Sequence, residues 1–207
     1  MIMHKQGSPF ERAIEVFRDH GGVMRAGQVL KSGVTIDTLY RMVDQGVLER
    51  LTRGLYALTD MPPIGNPDFV TVAMRIPHGV ICLLSALSFH GLTTKIPHEV
   101  TIAVDRKVTI RQPKIDYPPV RLVAFSGKAF QAGIESHEID EFPVRIYSRE
   151  KSIADIFKYR TKIGLDVARE ALRLYLESRQ TNIDSLIEFA RICRVETAIM
   201  PYLEALL

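Results

Sequence analysis

Residues 24–58, MRAGQVLKSGVTIDTLYRMVDQGVLERLTRGLYAL, constrain the chain more than any other stretch. A short helical pattern over residues 26–30 runs into Ser32-Gly33-Val34, where Gly33 can take the positive φ that a tight turn between helices demands. A second helix is expected from 35 to 45. Its Ile36, Leu39, Tyr40 and Val43 fall at i, i+3, i+4 and i+7 and so share a packing face, which leaves Thr38, Arg41, Met42 and Gln45 outward. Gly46 stops that helix. Residues 47–51 and 54–58 then read as two strands around a Thr52-Arg53-Gly54 tip. Two helices, a tight turn and a hairpin in this order make a winged helix-turn-helix, with an arginine at the tip of the wing.

The B-DNA major groove admits one α-helix, so a recognition helix has to be amphipathic, with small polar and basic groups aimed at base edges and phosphates. Thr35, Thr38, Arg41 and Gln45 are such groups. Arg41 suits a guanine or a phosphate, and Gln45 suits adenine. Asp37, in the first helical turn, complements the helix dipole but would repel a phosphate. An exposed face of this composition is also ordinary, and winged helices that bind proteins share the shape.

At 207 residues the chain can build two modest domains, each with its own core. Formal net charge is +3, and residues 1–60 hold eight Lys and Arg against seven Asp and Glu. DNA affinity must therefore come from local placement of arginines and not from a global field. Modest affinity per copy follows, and two copies of a solution monomer bound together on DNA would compensate for it. Cys82 and Cys193 lack ligand spacing and read as buried, inert thiols. The first residues carry no apolar signal segment, and the longest apolar stretch, 80–87, is far too short to span a membrane. A cytoplasmic protein without membrane contact is expected.

The fold class expected is mixed α/β (α+β), with a winged helix over residues 1–60, a proline-rich linker over 61–67 and an α/β domain over 68–207. Ser8 caps a first helix, with Pro9 at its first position and Glu11 completing a capping box. After the linker, 68–75 and 80–90 read as helices, the second a core helix whose C-terminal end His90 caps. Residues 100–104, 120–125 and 144–147 read as strands, and 135–139 as a further one. Residues 149–159, 165–177, 183–192 and 195–206 form a helical layer in which Ile183, Leu186, Ile187 and Ala190 make one stripe. The basic run Lys151, Lys158, Arg160, Lys162 is interleaved with Glu150 and Asp155, as on a solvated helix face; a second nucleic-acid surface is the sharper alternative. His90, His98, Glu99 and Asp105 are close in sequence but lack metal-ligand spacing, and no P-loop, nucleophile elbow or dinucleotide fingerprint occurs. No catalysis, metal or cofactor is expected.

Three ordered blocks then carry a resemblance: LERLTRGLYAL of the wing, SALSFHGLTTKIPHEVTIAV over 85–104, and RIYSREKSIADIFKYRTKIGLDVAREAL over 145–172. Together they resemble the AbiEi-type antitoxins of type IV toxin-antitoxin systems, which act in phage defence. The resemblance implies a winged helix that represses its own operon at inverted repeats in double-stranded DNA, and a C-terminal domain needed for antitoxicity. The functional partner it implies is a neighbouring nucleotidyltransferase-like toxin, with no stable complex between the two. It places Thr35, Thr38, Arg41 and Gln45 of the helix, with Arg50 and Arg53 of the wing, on the DNA-facing side, and Tyr40 within reach of a phosphate. A regulator whose second domain senses a ligand or binds a protein is the alternative.

Overall fold

The structure, a computed structural model, describes residues 8–206 apart from 61–65, 109–114, 116 and 140–141. Most of the expected linker lies outside the described residues. The fold is mixed α/β and contains two sheets.

The first sheet belongs to residues 8–60. Helix α1 (Pro9–Arg18) opens on the capping box: the Ser8 hydroxyl accepts from the Glu11 amide at 3.2 Å, and the Ser8 amide donates to the Glu11 carboxylate at 2.6 Å. Strand β1 (Val23–Arg25), helix α2 (Ala26–Lys31), helix α3 (Ile36–Asp44) and the hairpin of β2 (Leu48–Thr52) and β3 (Leu55–Leu58) follow. The antiparallel sheet has the order β1-β3-β2, so β3 is central. All four β3 residues are buried, because the strand is covered on both faces. Tyr56 and Leu58 join Phe17, Leu39 and Met42 in one core, while Leu55 and Ala57 pack with Val23 against Met74 and Phe142 of the second region. Three residues were too few for β1 to stand out in the sequence.

The second sheet is five-stranded, in the order β6-β5-β4-β8-β7. It combines β4 (Val80–Ile81), β5 (Val100–Asp105), β6 (Val120–Phe125), β7 (Ile134–Ile139) and β8 (Phe142–Tyr147). Helix α4 (Pro67–Arg75) covers one face through Phe69, Val70 and Val72. On the other side lie α5 (Leu83–Phe89), the short α6 (Lys128–Gln131), α7 (Arg149–Lys158), the short α8 (Arg160–Ile163), α9 (Leu165–Glu177), α10 (Ile183–Ile192) and α11 (Glu196–Leu206). The continuous helix expected over 80–90 is corrected here. Val80 and Ile81 form a strand between β5 and β8, and the helix begins only at Leu83. Both residues are β-branched and buried, which suits a central strand.

Lys151 corrects a second expectation. It is wholly buried, its ammonium 2.6 Å from the Asp155 carboxylate one helical turn on and 4.2 Å from the centre of the Tyr147 ring. The Cys193 thiol donates to the same carboxylate at 3.2 Å. The basic run is therefore split: Lys151 turns inward to satisfy a buried acid, while Lys158 is exposed. Burial and then the adjacent Asp155 carboxylate push the Cys193 thiol up to about 12, and burial raises that of Cys82 as well, consistent with two unreactive core thiols.

Candidate nucleic-acid interface

Helix α3 is held at its start by Thr35, whose hydroxyl accepts from the Thr38 amide at 3.2 Å and lies 2.9 Å from the Thr38 hydroxyl. The turn before it depends on Gly33, at φ +86°, a region costly for a residue with a Cβ. The helix buries Thr38, Leu39 and Met42, with Val43 partly covered, while Ile36 and Tyr40 remain 44% and 54% exposed. Its phase thus differs from the one expected. Thr38 does not face outward; it lines a groove between α1 and the preceding turn together with Arg12, Glu15 and Thr35. Met42 is also inside. The physical reason is that Thr38 can be buried without leaving its hydroxyl unpaired, since Thr35 answers it, whereas the phenol of Tyr40 is better left in water.

At about 100° per residue, the outward direction opposite Thr38, Leu39 and Met42 passes among Tyr40, Asp44 and Asp37. Ile36 and Arg41 flank them, and Gln45, the C-cap, stands at the margin. All six are exposed. Two carboxylates consequently occupy the middle of a face with a single arginine, which is why charge counting gives so little excess. The Arg41 guanidinium lies 5.4 Å from the centre of the Phe10 ring, a cation–π contact that narrows the range of conformations its side chain explores.

The hairpin supplies the other cations. Arg50 on β2 and Arg53 at the tip are exposed. The tip turns at Gly54, φ +75°, and the register of the two strands shifts between Arg50 and Thr52. The Gly54 carbonyl accepts from the Ala26 amide at 3.0 Å, so the tip is anchored to the first turn of α2 rather than swinging clear of the body. The described geometry places Thr35, Tyr40, Arg41, Gln45, Arg50 and Arg53 on the surface of one compact unit and removes Thr38 from that set.

The other residues singled out in the sequence do not converge. His98 is exposed, Glu99 pairs with Arg121 at 3.4 Å, and the Asp105 carboxylate accepts from the Lys107 amide. His90 lies instead at the end of α5, where its Nε2 is 2.7 Å from the Tyr147 carbonyl; burial lowers its pKa. Ser85, in the same block, is fully buried and accepts from the Thr101 amide at 2.9 Å, so this segment ties α5 to β5. Among the described residues no helix is long and apolar enough to cross a membrane.

The fold as a whole is similar to the crystal structure of the RV2827C protein from Mycobacterium tuberculosis, with a TM-score of 0.55 and 14% identity over 96% of this chain and 81% of that one. No curated protein matches the chain in sequence. Residues 11–59 match the family described as transcriptional regulator, AbiEi antitoxin, a span that takes in α1, the helix pair and the hairpin. In sequence, that segment is thus similar to the AbiEi antitoxin regulators.

Proposed function

We propose that the chain is the antitoxin of a type IV toxin-antitoxin system and the repressor of its own operon, reading double-stranded DNA with α3 and using the β2–β3 hairpin as a wing. The observation that carries this reading is the exposure of Arg41, Arg50 and Arg53 on the same segment that matches the AbiEi family. Arg41 and the wing arginines reach phosphates or guanine, Thr35 and Tyr40 donate to phosphates, and Gln45 approaches from the edge of the helix. Asp37 and Asp44 weaken attachment to DNA of any sequence and so favour sites that offer compensating base contacts, such as a cytosine N4 amino group. With so few cations per copy, two copies fill an inverted repeat. The region beyond residue 67 neutralises a nucleotidyltransferase-like toxin without forming a stable complex, and no catalytic step is assigned to it.

The experiment pairs two assays on the full chain. Footprinting on its own promoter should protect two half-sites, and co-expression with the adjacent nucleotidyltransferase-like gene should restore growth. Protection of one half-site at saturation, or no rescue, overturns the corresponding half of the reading.

A ligand-responsive regulator is the second reading, favoured by a cleft of about 720 Å³ between the two regions. His20, Arg25, Met74, Phe142 and Arg145 are among its walls. Burial and then neighbouring Arg75 lower the Arg25 pKa, and Arg75 Nε and Nη2 are buried without a hydrogen-bond partner among the described residues. Arg25 and Arg145, the two arginines that line the cleft, would welcome an anionic ligand.

A further inference from the structure

Strand β7 lies at the edge of the five-stranded sheet, and Glu135 and His137, two residues apart on it, point to the same face. Their side chains meet: His137 Nε2 is 3.0 Å from a Glu135 carboxylate oxygen. His90, delivered by the end of α5, joins them, its ring centre 5.7 Å from that of His137. One ring nitrogen of each histidine and one Glu135 oxygen all lie within 4.8 Å of one another.

The geometry points to a binding site for a divalent transition ion of the zinc type, ligated by His90, Glu135 and His137. Three features of the chain support it. A carbonyl oxygen can only accept, so the 2.7 Å contact to Tyr147 makes His90 Nε2 the donor and leaves Nδ1 of the neutral ring with a free lone pair. Holding one imidazole N–H on a backbone carbonyl is how proteins orient a ligating histidine and raise its basicity. The Phe89 ring packs edge-on against both histidines, with centroids 5.2 Å and 4.8 Å away, and gives the cluster an apolar wall. The donor set of two imidazoles and one carboxylate suits zinc and its neighbours; calcium and magnesium prefer oxygen alone.

Zinc–ligand bonds of about 2.0–2.2 Å require the three donor atoms to draw in from their present spacing. Glu135 is exposed and His137 is on an edge strand, which leaves these two side chains room to turn toward His90. Three protein ligands leave a fourth position for water, as in exchangeable rather than sealed zinc sites. Such an ion would clip the edge strand to the end of α5, about the point where β8 hands over to α7 at Ser148. Neither sequence distance nor spacing signals the site, because His90 and Glu135 are brought together only by the sheet.

The test uses the full chain freed of metal by a chelator and titrated with zinc chloride in a calorimeter. One equivalent should bind, and cobalt chloride should give the intense visible bands of tetrahedral coordination. His137→Asn and Glu135→Gln should each weaken zinc binding at least about tenfold, as should be expected when even outer partners of a metal site matter that much. His98→Asn, at an exposed loop position, should bind like the parent. Glu135→Gln keeps the size of an exposed side chain, so its loss of binding cannot come from misfolding. Equal zinc affinity in the parent, His137→Asn and Glu135→Gln, or no zinc binding by the parent, overturns the assignment. The operator and rescue assays of the proposed function are unaffected by either result.

Discussion

Arg41 and Lys151 are both basic residues within a short helix, yet α3 leaves Arg41 in solvent beside Phe10 while α7 seals Lys151 against Asp155. The two regions handle charge for different ends. Around α3, cations and the carboxylates Asp37 and Asp44 share an open surface, where water screens them and each interaction is small. Inside the second region a fully desolvated pair is tolerated because each member satisfies the other, with Tyr147, Phe125 and Cys193 closing around them. Arg41 on α3 is thus free to engage a partner, whereas Lys151 on α7 is committed to the fold.

The largest expected effect comes from breaking the committed pair. Lys151→Met strands the Asp155 carboxylate and should cost about 3–5 kcal/mol in denaturant unfolding, enough to abolish rescue from the toxin. Lys151→Met combined with Asp155→Leu should recover most of that stability, since a well-packed apolar substitute can match a buried ion pair. Thiol labelling reports the same event independently: Cys82 and Cys193 should react slowly in the parent and quickly in the single variant. A double variant as unstable as the single one would show that the pair does more than neutralise itself.

Next in size are the surface cations. Arg41→Ala and Arg53→Ala should each weaken operator binding by roughly 1–3 kcal/mol if they read bases, and about equally on all sequences if they hold phosphates. Unfolding free energy should move by no more than about 0.5 kcal/mol. Growth rescue should persist, which separates the two roles. Simultaneous loss of repression and rescue in a folded Arg41→Ala protein would erase the contrast between the regions.

Thr38→Val should lower stability by about 1 kcal/mol through loss of its hydroxyl pairing with Thr35, and leave binding per folded molecule unchanged. The smallest effect is a gain. Asp44→Asn removes a carboxylate from the outward face of α3, and Kd for any duplex should improve by roughly two- to fivefold, the scale of an exposed charge interaction. A titration across salt concentrations checks it, and a weaker complex would mean that Asp44 accepts a hydrogen bond from a base.

Much of this could be read from residue order alone. The capping box at Ser8 and Glu11, the hairpin around Gly54, and helix α10 with its apolar stripe depend on neighbours within a few positions and were legible. The phase of α3 was not, because it turned on whether Thr38 or Tyr40 is the cheaper residue to bury, and the answer lies in a hydroxyl three residues away and the packing of α1. Lys151 is indistinguishable from Lys158 in a charge pattern; only the sheet and α10 reveal which one has an acid waiting inside. His90, Glu135 and His137 were missed because residues 91–134, with two of the sheet's strands and helix α6, intervene between the first and second.

The double burial of β3 has a consequence for how the molecule would sit on an operator. A chain cut after Asp60 would carry away Val23, Leu55 and Ala57 stripped of Met74 and Phe142, and such a fragment should be adhesive and poorly soluble. The reading head is therefore seated on the body like a stone in a setting, not strung from it. Were two copies to face each other across an inverted repeat, as proposed, their bulk would meet at an angle inherited from that seat, and the permitted spacing between half-sites would become a dimension of the whole protein.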